Sequence, residues 1–108
     1  MNINDKVLLQ QEFKGILLFK EGMFFRTYNQ GVYILTEHLG HNLQTHIKQI
    51  KKYHNKQVII CGFPVNTINE RLPNAKLFDF GVKLAFNYSI DEYSHWYERR
   101  CPEKSEAR

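Results

Sequence analysis

The sequence predicts a small single α/β domain built on a mixed sheet of about five strands flanked by helices. Three observations carry that expectation. Short runs rich in Ile, Leu, Val, Phe and Tyr recur at 16–20, 23–28, 57–63 and 82–86, punctuated by Gly, Pro or Asn as strands are. Segments at 5–14, 32–39 and 91–100 space their apolar residues more like helices. Finally, 43% of the 108 residues are apolar and 14% aromatic, enough for one core without disulfides and too much for a disordered chain.

Residues 5–14 read as a helix with Asn4 or Asp5 as N-cap, Gly15 just past its end and a rough stripe of Val7, Leu8, Gln11 and Phe13. Ile16–Lys20 is a strand, Glu21-Gly22 a tight turn, and 23–28 the next strand. After a loop near Asn29-Gln30-Gly31, Val32, Ile34, Leu35 and Leu39 fit a helix that Gly40 stops in the left-handed region. Segment 41–52 reads two ways: Leu43, Thr45 and Ile47 alternate like a strand, while Leu43, Ile47 and Ile50 repeat like a helix. The turn-like Tyr53-His54-Asn55-Lys56 ahead of another apolar run favours the strand.

Gln57–Phe63 is a continuous apolar strand, placed centrally because both its faces look buried. Asn66 or Thr67 caps a helix containing Ile68, Glu70 and Leu72, which Pro73 interrupts. Residues 74–80 form a second turn or a separate short helix, and Val82–Phe86 closes the sheet. A last helix, Asp91–Arg100, is capped by Ser89 and packs through Tyr93, Trp96 and Tyr97. The domain thus occupies 1–100, and 101–108, from Cys101-Pro102 onward, is a polar frayed tail.

The stretch 23–28 carries the functional argument. Side chains alternate along a strand, so Met23, Phe25 and Thr27 point toward a core while Phe24, Arg26 and Tyr28 point away. An unpaired guanidinium is costly to bury, whereas an aromatic–cation–aromatic row suits stacking on bases and contact with phosphate. The competing reading packs Phe24 and Tyr28 beneath a helix and lets Arg26 reach water along its stem.

Ile16-Leu17-Leu18-Phe19-Lys20-Glu21-Gly22-Met23-Phe24-Phe25-Arg26-Thr27-Tyr28 resembles the opening of the N-terminal mismatch-recognition domain of the MutS family, where an apolar strand leads into Gly-Asp-Phe-Tyr-Glu. Cys61-Gly62-Phe63-Pro64-Val65-Asn66 is similar to that domain's Ala-Gly-Ile-Pro-Tyr-His, in the same order and at comparable spacing. The likeness covers about residues 5–88 and ends in a strand like Gly81-Val82-Lys83-Leu84-Ala85-Phe86. It implies that Phe24 takes the place of the family's stacking wedge and Arg26 that of its base-bonding Glu. Arg26 for an acid, Met23 for Asp and Asn66 for His are departures. Arginine accepts no hydrogen bond, so that base contact is not made in the family's way.

The remaining residues narrow the function. A formal charge of +4 is compatible with an anionic partner without demonstrating one. Lys48, Lys51, Lys52 and Lys56, with His54 among them, form the densest basic cluster. It is either a phosphate contact or a solvated hairpin tip that guards a sheet edge. Asn66 is either a helix cap or a contact to backbone phosphate. His38, His41 and His46 lack the spacing and the companion ligands of a metal site. Cys61 and Cys101 stand far apart without a CxxC pattern, as reduced thiols do, and His95 with Cys101 has no orienting third group. The carboxylates are scattered and no phosphate-binding glycine loop exists, which excludes an ATPase. No apolar run approaches the roughly 18 residues of a membrane span, and no signal pattern opens the chain.

The expectation is therefore a cytoplasmic, cofactor-free, non-catalytic domain that binds DNA at mispaired or distorted duplex and holds no metal. Phe24 is its wedge, Arg26 a phosphate or base-edge contact and Tyr28 a flanking platform, with Lys48, Lys51, Lys52, Lys56 and Asn66 as backbone support. Useful affinity requires a homo-oligomer or partner protein. The alternative is a protein-interaction module using the Phe24-Arg26-Tyr28 face and the Trp96 helix.

Overall fold

The computed structural model describes residues 1–50 and 56–102. Among them, the strands are β1 (Gly15–Glu21), β2 (Phe24–Tyr28), β3 (His46–Ile50), β4 (Lys56–Pro64), β5 (Lys76–Leu77) and β6 (Gly81–Ala85). They form one sheet in the order β3-β4-β2-β1-β6-β5. The α/β domain expected from the sequence is present, with six strands in place of about five. Its pairings are all antiparallel, not mixed. The reason lies in the connections: β1 and β2 join through a two-residue turn at Gly22-Met23, and parallel neighbours need a long crossover. Gly22 has φ +65° and takes the left-handed position that this hairpin requires.

The helices are α1 (Ile3–Glu12), α2 (Gln30–Tyr33), α3 (Ile68–Arg71) and α4 (Ile90–Arg100). A π-helical turn, Ile34–His38, extends α2, and a 3₁₀ turn, Val65–Thr67, precedes α3. Helix α1 starts two residues earlier than expected, because Asn2 is the N-cap and its Oδ1 accepts the Asp5 N–H at 2.9 Å. Helix α4 is capped by Ser89 as expected, with Asp91 and Glu92 in its first turn and Arg99 and Arg100 in its last, favourable for the helix dipole.

Each face of the sheet carries a buried apolar cluster. Ile16, Leu18, Phe25, Ile59, Phe63 and Val82 build the larger core with Val32, Ile34, Leu35 and Trp96. On the opposite face Leu17, Phe19, Tyr28, Ile50, Val58 and Ile60 form a smaller core, closed by Ile3 and Val7 of α1 and by Phe13 and Phe80. The buried run of β4 fits its interior place between β3 and β2. Within 74–80, where a turn or short helix was expected, lies the two-residue edge strand β5. Cys101, expected in a frayed tail, is 8% exposed, and its N–H donates to the Tyr97 carbonyl at 2.8 Å. The C-terminal turn of α4 carries it back onto the larger core.

Candidate nucleic-acid interface

The β1–β2 hairpin places Glu21 opposite Phe24, and Arg26 lies between Phe19 on β1 and Gly62 on β4. Phe24 and Arg26 lie outside the buried apolar cluster that Ile3 and Val7 of α1 close. Phe24 is 44% exposed. Pro64 pairs with Phe24, and the Val65 N–H donates to the Met23 carbonyl at 2.9 Å. That bond brings exposed Asn66 beside the hairpin tip. Asn66 is not a helix cap: it sits inside the 3₁₀ turn, and the hydroxyl of Thr67 donates back to the Pro64 carbonyl at 2.7 Å.

Gly62 makes room for Arg26. A Cβ on Gly62 would meet the Phe25 carbonyl oxygen at 2.3 Å and the Arg26 Cγ at 3.1 Å. The arginine stem therefore crosses β4 where that strand has no side chain. Arg26 Nε lies 3.4 Å from Glu21 Oε1, yet the side chain remains 47% exposed. Burial pushes the Glu21 carboxyl up. The hydrogen bonds from Lys6 and Tyr28 and the charges of Lys6 and Arg26 outweigh it and hold the group below its ordinary value. The result is a fixed anion under a half-exposed cation.

Two expectations fail within the motif. Tyr28 is 3% exposed and is no flanking platform: Ile3 and Val7 of α1 close over its cluster, and burial together with its bond to Glu21 raises its pKa. Met23, expected to join a core, is 80% exposed because it occupies the hairpin turn and not the strand. The Trp96 helix offers no tryptophan contact either, since Trp96 is buried in the larger core.

Lys48 and Lys56 do not converge on Phe24. Lys48 faces Val58 and Lys56 faces Ile50, so both exposed side chains share the sheet face of Phe24. They stand six and eight residues from Pro64 along β4, roughly 20 and 26 Å at about 3.3 Å per residue. Tyr28 and Ile60, buried beneath α1, lie between. Lys51 and Lys52 lie outside the described residues.

His38 and His41 are occupied elsewhere. His38 Nε2 lies 3.2 Å from the Tyr33 hydroxyl, and His41 Nδ1 lies 3.1 Å from Arg71 Nη1. Among the described residues, no group of three His, Cys, Asp or Glu could hold a metal ion. Cys61 and Cys101 are free and buried, and burial pushes the Cys61 thiol up to about 12.

Glu21 and Gly62 are the contributors that the sequence reading passed over as site residues. An isolated glycine inside an apolar strand signals close approach of another chain segment, and Gly62 meets that description. Glu21 gives no such signal, because its partners come from α1 and β2.

No protein-family model, curated protein or solved structure matches this chain. No helix among the described residues is long and apolar enough to cross a membrane.

Proposed function

We propose that this chain is a non-catalytic nucleic-acid-binding domain that inserts or stacks Phe24 at mispaired, bulged or single-stranded DNA. The observation that carries the reading is a phenylalanine 44% exposed in the strand beside the half-exposed Arg26. A core residue would not be left there. Arg26 supplies a phosphate or base-edge contact and Asn66 a further polar group at the same end. The likeness of Ile16–Tyr28 and Cys61–Asn66 to the MutS mismatch-recognition domain supports the assignment. The departure at Arg26 changes its chemistry from accepting a base proton to donating one.

Magnitudes set the preference. Stacking is worth roughly 1–3 kcal/mol per base, and a wedge in sound duplex costs a few kcal/mol of unstacking. One ring breaks even at best on matched duplex and gains where the base is already unpaired. Intrinsic affinity belongs near the non-specific range of about 10⁻⁴–10⁻⁶ M, so useful binding draws on a second copy or a partner chain.

A protein contact is the second reading, favoured by one observation. Met23, 80% exposed, adjoins Phe24 and forms an apolar tip. Titration of matched and mismatched duplex at two salt concentrations, with Phe24→Ala and Arg26→Glu alongside, separates the two. The nucleic-acid reading expects binding that weakens with salt and with either substitution. Absence of binding at low salt, together with salt-tolerant self-association that Met23→Ser abolishes, selects the protein contact.

A further inference from the structure

Where α1, the β2–α2 junction, β4 and α4 meet, away from Phe24, the surface opens into a cleft of 230 Å³. Five carboxamides line it: Asn4, Gln11, Asn29, Gln30 and Gln57. Asn29 Oδ1 is occupied by the Ile59 N–H, whereas Asn4 Oδ1 and Gln30 Oε1 are buried without a hydrogen-bond partner. A buried acceptor left unpaired is costly and calls for a donor.

By contrast, the side-chain oxygens of the buried Gln10 and Asn29 have partners. Gln10 bonds the Gly15 carbonyl and the Leu17 N–H, and Asn29 Oδ1 accepts the Ile59 N–H at 2.9 Å. Asn29 is the one non-glycine among the described residues with positive φ, at 47°. That conformation turns the chain so that Gln30 lies at the cleft wall. Among the described residues, the two buried amide oxygens without a partner, those of Asn4 and Gln30, both belong to the cleft.

Its remaining wall is aromatic. Tyr93 and Tyr97 line the cleft with ring centroids 6.1 Å apart, and the Tyr97 hydroxyl donates to the Gln57 carbonyl. Carboxamides present a donor and an acceptor in one plane, the pattern that reads an adenine edge bidentately. Aromatic rings supply stacking faces. The volume is below the roughly 300–1,000 Å³ of drug-sized sites, which suits a single planar ring system. Lys56 also lines the cleft, placed to meet a phosphate. We infer that the cleft binds a purine base carrying an exocyclic amino group, as a nucleotide or as an unpaired base of a strand. This site is independent of Phe24.

The test titrates the whole chain with adenosine monophosphate and with inosine monophosphate, which lacks the amino group, following side-chain amide signals by NMR. Adenosine monophosphate is expected to bind at least tenfold more tightly and to shift the Gln30 and Gln57 amides. Gln30→Met and Gln57→Met, each checked for an unchanged melting temperature, should weaken it tenfold or more. A short oligodeoxyadenylate forms the second arm. If the oligonucleotide binds and the mononucleotide does not, with loss in Gln30→Met and retention in Phe24→Ala, the base comes from a strand. Equal binding of the two mononucleotides, insensitivity of both ligands to Gln30→Met and Gln57→Met, or no binding of either ligand overturns the site and leaves a cleft filled by water.

Discussion

The Tyr28 hydroxyl donates to Glu21 Oε2 at 2.5 Å, and the same oxygen accepts the Lys6 ammonium at 2.8 Å. With Arg26 on its other oxygen, Glu21 ties α1 to both strands of the hairpin. Its pKa is held below the ordinary 4.5. A carboxyl depressed in the folded state stabilises the fold above its unfolded value, and that contribution fades as pH falls through the lower folded value. Glu21→Gln should therefore cost about 1 kcal/mol at neutral pH, since the site is partly solvated. It should also flatten the acid limb of melting temperature against pH. An acid limb identical to that of the parent would remove Glu21 from this role.

Gly62 tests the platform itself. Its Cβ would stand 2.3 Å from a backbone oxygen of the neighbouring strand, which cannot swing aside as a side-chain end can. Gly62→Ala should destabilise the domain by about 1–3 kcal/mol, the usual range for overpacking, and dislodge the Arg26 stem from β4. Chemical denaturation gives the first quantity. A lowered salt slope of duplex binding reports the second, because one phosphate contact contributes a slope of roughly one.

Phe24 separates stability from contact. Half-exposed surface residues usually change stability by no more than about 0.5 kcal/mol, whereas losing one stacked base costs roughly 1–3 kcal/mol, a factor of about 5–150. Phe24→Ala should leave the melting temperature nearly unchanged and reduce affinity for a bulged duplex by that factor. A fall in stability with affinity intact would assign the ring to packing.

The parts of the fold that read correctly from sequence were those with local chemistry. Ser89 announces α4, the β4 run announces an interior strand, and Gly22 announces the hairpin turn. What failed depended on distant partners. Alternation alone put Phe24, Arg26 and Tyr28 on one face, correctly, but it did not show that Ile3 and Val7 of α1 pack over the cluster that holds Tyr28. Strand direction followed from loop connections that periodicity does not encode. Lys48 and Lys56 belong to one cluster in sequence, yet they stand on β3 and β4, far from the ring they were meant to support.

The stripe of α1 gives the sharpest case. Sequence pointed to Gln11 as its inward polar residue, but Gln10 is the one fully buried. Gln10 Oε1 accepts the Leu17 N–H at 2.9 Å and the Thr27 hydroxyl at 3.2 Å, while its amide donates to the Gly15 carbonyl at 2.8 Å. Gly31 has no side chain at this point, and a Cβ there would lie 1.8 Å from Thr27 Oγ1. Gln10→Leu keeps the volume and strands three polar groups in a dry interior, each worth roughly 1–3 kcal/mol when left unpaired. We expect a loss of about 3 kcal/mol or more by denaturant titration, against no more than about 0.5 kcal/mol for the exposed neighbour in Gln11→Leu. Equal effects at the two positions would mean that the knot joining α1, β1 and β2 is not what fixes the helix to the sheet.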